Sequence, residues 1–161
     1  MKIDDEIQSK FINPQTKAIV NIRYTANLLN SSQNAFFSEF DLTFPQFNIL
    51  RILRGAEKAI NVQNVKSRMV EKSPNITRIM DKLVAKNLIS RKNCIEDKRS
   101  VYIEITIKGL DVLSEIDFKI KKSSITPDNL SDKEAETLSE LLDKVRIGIK
   151  QNAGSSILKI S

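Results

Sequence analysis

Polar side chains recur at helical spacing between residues 75 and 82 of this 161-residue sequence. The apolar residues between them can form the buried face of one helix, which leaves a polar face made of Asn75, Thr77, Arg78 and Lys82. The amide of Asn75 can bond an adenine edge, and the guanidinium of Arg78 can bond a guanine or a phosphate. Ser73 is suited to cap this helix ahead of Pro74, and the free N–H groups of the first turn can bind a phosphate. The pattern predicts a helix over 75–86 that can contact nucleic-acid bases.

A second cationic pair lies in a turn between two short predicted strands, Leu88–Lys92 and Val101–Ile107. The turn carries Asp97, Lys98 and Arg99. A cation at the end of a projecting hairpin can enter a narrow minor groove, and Asp97 can direct the Arg99 guanidinium by a charge-assisted bond. An ordinary solvated turn contains the same residue types, and the local sequence alone favours that interpretation.

The charge of the chain is concentrated in its middle third. Residues 62–108 carry 11 Lys and Arg against 5 Asp and Glu, whereas residues 1–61 carry 7 against 6 and residues 109–161 carry 8 against 9. A basic segment between two nearly neutral ones suggests a polyanion-binding surface mounted on a scaffold. A solvated basic face with no partner explains the charge equally well.

The composition argues against most enzyme classes. The chain has no histidine, so it has no histidine general base, no Ser-His or Cys-His pair and no histidine zinc site. No phosphate-binding glycine loop or paired-acid site is visible, and we expect no catalytic residue, no metal and no cofactor. The N-terminus lacks a signal-peptide pattern, no stretch is apolar enough to cross a bilayer, and the single Cys94 excludes an internal disulfide. These features predict a cytoplasmic protein without membrane association.

The remaining elements are predicted to be helical. Apolar spacing and capping residues place them at Ile3–Ile12, Pro14–Leu29 followed by a turn or kink at Asn30-Ser31-Ser32, Ala35–Phe40, Thr43 to about Gly55, Val62–Val70 after Asn61, Lys108–Lys122, and from the Ser131 capping box to about Asn152. Three helices followed by a hairpin predict a winged helix-turn-helix. The fold class is therefore mainly α with a small β-hairpin wing.

Four segments in register resemble the MarR family of bacterial regulators. They are the run 42–50, the helix from Ser73 to Leu83, the Asp97-Lys98-Arg99 tip, and the Thr106-x-x-Gly109 start of the next helix. The resemblance implies major-groove contact by Ser73, Asn75, Thr77 and Arg78, and minor-groove insertion of Arg99 braced by Asp97. One departure is Asn87, where the family usually has glycine, and asparagine tolerates the same backbone conformation.

The resemblance also implies an organisation and a function. Residues 1–161 form one domain, in which 42–108 is the DNA-binding lobe and 1–40 with 109–153 are dimerisation helices. The chain is then a homodimer that binds a palindromic operator on double-stranded DNA as a transcription regulator, with repression as the expected mode. The alternative is a winged-helix protein-interaction module or antirepressor that does not bind DNA, which needs exposed apolar residues on the 75–86 helix.

Members of the family often bind small anionic or aromatic effectors between the dimerisation helices and the lobe. Such a site in this chain implies the residues Arg23, Tyr24, Phe36, Phe37 and Phe40. The same residues can be filled core, and the sequence favours that interpretation.

Overall fold

The computed structural model describes residues 2–70, 75–93, 101–122 and 129–157. In chain order the elements are α1 Ile3–Glu6, α2 Pro14–Ser38, α3 Phe44–Ala56, β1 Ile60–Asn61, α4 Val62–Arg68, α5 Ile76–Ala85, β2 Ile89–Asn93, β3 Val101–Ile105, α6 Ile107–Lys122 and α7 Asp132–Ile157. The fold is mainly α with a small antiparallel sheet, as predicted. Within these ranges no helix is both long and apolar enough to span a bilayer.

The contacts divide the chain into two compact units, Met1–Lys122 and Ser123–Ser161, and each is described by itself. The first unit contains α1 to α6 and the sheet, and the second contains α7. The expectation of a single domain, with a lobe over 42–108 between dimerisation helices, stays a prediction.

Helix α2 is longer than the sequence pattern predicts. Asn13 caps it by accepting a hydrogen bond from the backbone N of Thr16 at 2.8 Å, and the helix then continues to Ser38. Of the turn or kink predicted at Asn30-Ser31-Ser32, the turn is wrong, because the helix runs through these residues without a break. Asparagine and serine are only weak helix breakers, each costing about 0.5 kcal/mol relative to alanine, and the burial of aromatic residues further along α2 outweighs that cost. The predicted helix 3–12 is in turn too long, because Gln8 adopts a φ of 47° just after α1.

Helix α3 begins and ends where its sequence predicts. The Thr43 hydroxyl accepts from Gln46 N and the Gln46 side chain accepts from Thr43 N, so two otherwise unpaired donors are satisfied by one capping box. The helix ends at Glu57, which adopts a φ of 53°. Its buried side chains meet those of α5, α6 and the sheet in the centre of the first unit, where the fully buried residues are Ile49, Leu50, Leu53, Val65, Met80, Leu83, Ile103, Leu113 and Ile116.

The sheet has three strands in the order β1-β3-β2, all antiparallel. Ile89 pairs with Ile105 and Arg91 with Ile103, which fixes the register of the two predicted wing strands. Strand β1, which the sequence pattern missed, pairs Ile60 with Ile103 on the other side of β3. Its second residue, Asn61, also caps α4, as predicted, by accepting from Asn64 N at 2.8 Å.

Helix α7 is an amphipathic helix with no buried side chain over residues 132–152. Ser131 and Glu134 form the predicted capping box, with the Glu134 carboxylate accepting from the Ser131 hydroxyl and backbone N. These bonds hold the pKa of Glu134 below its ordinary value. The large apolar side chains that α7 exposes are Leu138, Leu141, Ile147 and Ile149.

Candidate nucleic-acid interface

Helix α5 separates an apolar face from a polar one, as its sequence predicts. Its buried residues are Ile76, Met80 and Leu83. The exposed polar side chains are Thr77, Arg78, Asp81 and Lys82, together with Asn75 at the N-cap position. The four predicted contact residues from Asn75 to Lys82 therefore lie on one exposed surface, the α5 polar face. Ser73 and Pro74 lie outside the described residues.

The charge of this surface comes from two side chains. Among the described residues, neither Arg78 nor Lys82 has an ion-pair partner within 4.0 Å. The basic residues next along the chain are compensated: Lys86 pairs with Asp41, Arg91 with Asp81, and Lys92 with Glu104. The positive charge available to an anion on α5 is thus that of Arg78 and Lys82.

A cleft of about 710 Å³ runs beside this face. Its lining residues come from the end of α2, the start of α3 and from α5, and they are Ser38, Asp41, Leu42, Thr43, Gln46, Asn75, Arg78, Ile79, Lys82 and Lys86. Lys86 was not among the predicted site residues. Its position four residues after Lys82 places it in the same helical row, a signal that the sequence already contains.

The C-terminal end of α5 is closed by a left-handed residue. Asn87 adopts a φ of 58°, the left-handed conformation that asparagine tolerates in place of the family's glycine. The backbone N of Asn87 donates to Val84 O at 2.8 Å, and the N of Leu88 donates to Leu83 O at 3.0 Å. These two bonds are those of a Schellman motif, and buried Leu88 leads directly into β2.

The stem of the hairpin is present as predicted. Strands β2 and β3 pair along their length, from Ile89 with Ile105 to Asn93 with Val101. The salt bridge from Arg91 to Asp81, at 2.5 Å, ties β2 to α5. The predicted tip residues Asp97, Lys98 and Arg99 follow this stem and lie outside the described residues, as does Cys94.

The five residues proposed for an effector site differ in burial and in their contacts. Phe36 and Phe37 are buried, with Phe36 edge-to-face against Phe37 and Phe37 stacked on Phe47, so both belong to the core. The Tyr24 hydroxyl donates to Glu6 at 2.9 Å, which raises the pKa of Tyr24. Phe40 packs against the Lys119 ammonium at 5.2 Å, and Arg23 is exposed on α2. None of the five lines the cleft beside α5, and effector binding stays a prediction.

The described part of the chain contains no group of three or more Cys, Asp or Glu side chains that could hold a metal ion. The α5 polar face offers hydrogen-bond donors and cations. Such a face can bind a polyanion whose bases also present hydrogen-bonding edges.

Comparison with known proteins gives a consistent result. The family model described as transcriptional regulator SarA/Rot matches residues 33–116. The chain is 30% identical over 112 residues to the HTH-type transcriptional regulator MgrA of Staphylococcus aureus, an alignment that covers 70% of this chain and 75% of MgrA. It is 29% identical over 108 residues to the HTH-type transcriptional regulator SarZ of Staphylococcus saprophyticus, covering 67% of this chain and 73% of SarZ.

The fold is also found among solved structures. A crystal structure of a mutant MarR from E. coli complexed with operator DNA superposes with a TM-score of 0.71 at 26% identity, covering 85% of this chain and 99% of the MarR chain.

Proposed function

This chain belongs to the SarA/Rot family of transcriptional regulators, and we propose that it exerts its regulation by binding double-stranded DNA through the α5 polar face. Its fold is the MarR-type winged helix-turn-helix, and its family and relatives are regulators and not enzymes. The observation that carries the proposal is the pair Arg78 and Lys82, exposed and without an ion-pair partner among the described residues, on a helix whose other face is buried.

The geometry suits major-groove recognition. A B-DNA major groove is about 12 Å wide and admits one α-helix. We propose that Arg78 bonds a guanine or a backbone phosphate, and that Asn75 and Thr77 bond base edges near the N-terminal end of α5. Lys82, one turn further along, contacts a phosphate and sets the helix in register. Apart from Ala85, the exposed residues of α5 are polar, which disfavours the alternative of a protein-interaction module.

The second proposed contact is the hairpin. The paired strands β2 and β3 form a stem that leads to Asp97, Lys98 and Arg99. We propose that Arg99 enters the minor groove next to the major groove occupied by α5, directed by Asp97, and that Lys98 contacts a phosphate.

We propose that two chains bind together. Support comes from the apolar side chains that α7 exposes, of which Leu141 is 57% accessible, and from exposed Ile107 and Leu110 on α6. A two-fold dimer buries these side chains and places two recognition helices about one DNA turn apart, so that the operator is a palindrome. Ser73 contacts a backbone phosphate in each half-site.

Repression in the cytoplasm, with release by a small anionic or aromatic effector, completes the proposal. Repression and effector release rest on the resemblance to MarR regulators alone. Transcription from a promoter that carries the operator, measured with and without the purified protein, shows whether the protein represses or activates.

The binding proposal is tested by titrating labelled duplex DNA with the purified chain at several salt concentrations and following anisotropy. Binding is expected to weaken steeply with salt, because each cation that contacts a phosphate releases a condensed counterion. Lys82→Ala is expected to reduce the log–log salt slope by about one. The matched control is Lys121→Ala, an exposed lysine near the end of α6 that removes the same charge. No duplex binding by the wild type, or equal slopes for the two variants, contradicts the proposal.

A further inference from the structure

Three successive backbone carbonyls at the C-terminal end of α5 are bound by residues at the start of α6. The bonds run from Lys108 Nζ to Lys86 O at 3.0 Å, from Thr106 Oγ1 to Asn87 O at 2.8 Å and from Thr106 N to Leu88 O at 3.1 Å. We refer to these two donor residues and three carbonyls as the junction. The ammonium of Lys108 also lies at the negative end of the α5 dipole, where a cation is favourable.

The junction also begins α6. The Thr106 hydroxyl oxygen accepts from Gly109 N at 3.1 Å, so one hydroxyl caps α6 and holds the end of α5. Gly109 makes this approach possible. A Cβ at that position would stand 2.3 Å from Leu88 O and 2.8 Å from Cγ1 of Ile105, far inside van der Waals contact. The start of α6 therefore approaches the α5–β2 turn so closely that position 109 has no room for a side chain.

The junction fixes more than one element. Leu88 is followed at once by β2, so the same bonds hold the end of α5 and the base of the hairpin. The Schellman motif accounts for the carbonyls of Leu83 and Val84, and the junction accounts for the three carbonyls after Ala85. The end of α5 thus has little freedom to rotate relative to α6.

We infer that Thr106 and Lys108 are positioning residues for base recognition, which act through α5 and the hairpin and not by touching a base. The inference rests on the proposed function. Interface groups must be held to about 0.5 Å for hydrogen bonds to discriminate between bases, whereas attraction to phosphates tolerates larger displacement. Loss of the junction therefore lowers discrimination between sequences more than it lowers total attraction to DNA.

The experiment compares two duplexes, one selected by the wild-type chain from a random pool and one with the same composition in scrambled order. Thr106→Val removes the hydroxyl at constant size and charge. Its affinity for the selected duplex is expected to fall about tenfold, as for one or two lost hydrogen bonds, and its affinity for the scrambled duplex less than about twofold. Thr106→Ser restores the hydroxyl and is expected to restore the ratio. Thermal unfolding is measured in parallel.

A second pair of variants keeps the test decisive where Thr106→Val fails to fold. Lys108→Met removes one exposed ammonium, and Lys121→Met removes another from the same helix away from the junction. Lys108→Met is expected to lower the selected-to-scrambled ratio at least about threefold, and Lys121→Met to leave it unchanged. Equal ratios for both lysine variants overturn the inference, as does a Thr106→Val protein that loses thermal stability but keeps the wild-type ratio. A wild type without preference for any duplex refutes the proposed function itself.

Discussion

At the scale of single residues, anion binding by this protein depends on which of its cationic side chains already have an ion-pair partner. Lys86, Arg91 and Lys92 each lie beside a carboxylate, whereas Arg78 and Lys82 have no such partner among the residues that the structure describes. An uncompensated cation on an exposed helix face attracts a phosphate without first having to break an ion pair. On α5 itself, the positive charge is therefore presented at two defined positions, Arg78 and Lys82.

Asn87 provides a test at this scale. Its φ of 58° costs an ordinary residue about 1 kcal/mol and costs glycine almost nothing. We expect Asn87→Ala to lower the free energy of unfolding by about 1 kcal/mol and Asn87→Gly to leave it unchanged or slightly raised. Urea denaturation of the three proteins measures the difference. An alanine variant as stable as the wild type would show that the left-handed turn after α5 is not the conformation in solution.

At the scale of elements, the close contact between α6 and the α5–β2 turn makes opposite predictions for two glycines. Gly109→Ala places a Cβ against Leu88 O, and we expect it to destabilise the protein by about 1–3 kcal/mol despite the better helix propensity of alanine. Gly55→Ala, in α3, meets nothing within 4 Å and is expected to stabilise by up to about 1 kcal/mol.

Thermal or urea unfolding of both glycine variants under the same conditions makes the comparison. A Gly109→Ala protein that gains stability as Gly55→Ala does would mean that the two segments are further apart than the structure places them.

The sequence predicts those elements whose signals are local. The Thr43 to Gln46 box marks the start of α3, and alternation along 101–107 marks β3 within two residues of its observed end. Strand β1 is not predicted from the sequence, because two residues, Ile60 and Asn61, are too few to show a periodicity. They acquire a strand conformation only by pairing with β3, some 40 residues later. The false break in α2 has the same origin, since distant packing overrides local preference.

The candidate site likewise contains features that the local sequence predicts and features that depend on tertiary structure. Helical spacing was enough to group Thr77, Arg78 and Lys82 on one face, and the structure agrees. The compensation of Lys86 by Asp41 could not be foreseen, because it joins residues 45 positions apart. The contacts between Thr106 and the end of α5 likewise depend on tertiary structure, although the Thr106-x-x-Gly109 pattern indicates the start of the helix that follows β3.

At the scale of the whole molecule, the apolar side chains that α7 exposes are the basis of the proposed dimer. We expect Leu141→Asp to dissociate the proposed dimer, because a carboxylate without a partner in an apolar interface costs at least about 2 kcal/mol. Ser139→Asp adds the same group to α7 beside the apolar stripe and is expected to leave the assembly intact. Sedimentation velocity at several concentrations gives the answer. A wild type that sediments as a monomer at every concentration, or a Leu141→Asp variant that stays dimeric, contradicts this part of the proposal.

The central claim is that the α5 polar face determines which DNA sequence is bound, and selection from a random duplex pool tests it most directly. The wild-type chain and Arg78→Ala are used in parallel, and the bound fragments are sequenced. The account predicts that the wild type selects a palindromic motif and that Arg78→Ala selects the same motif with base preference lost at one position in each half-site. Identical motifs for the two proteins would contradict the account.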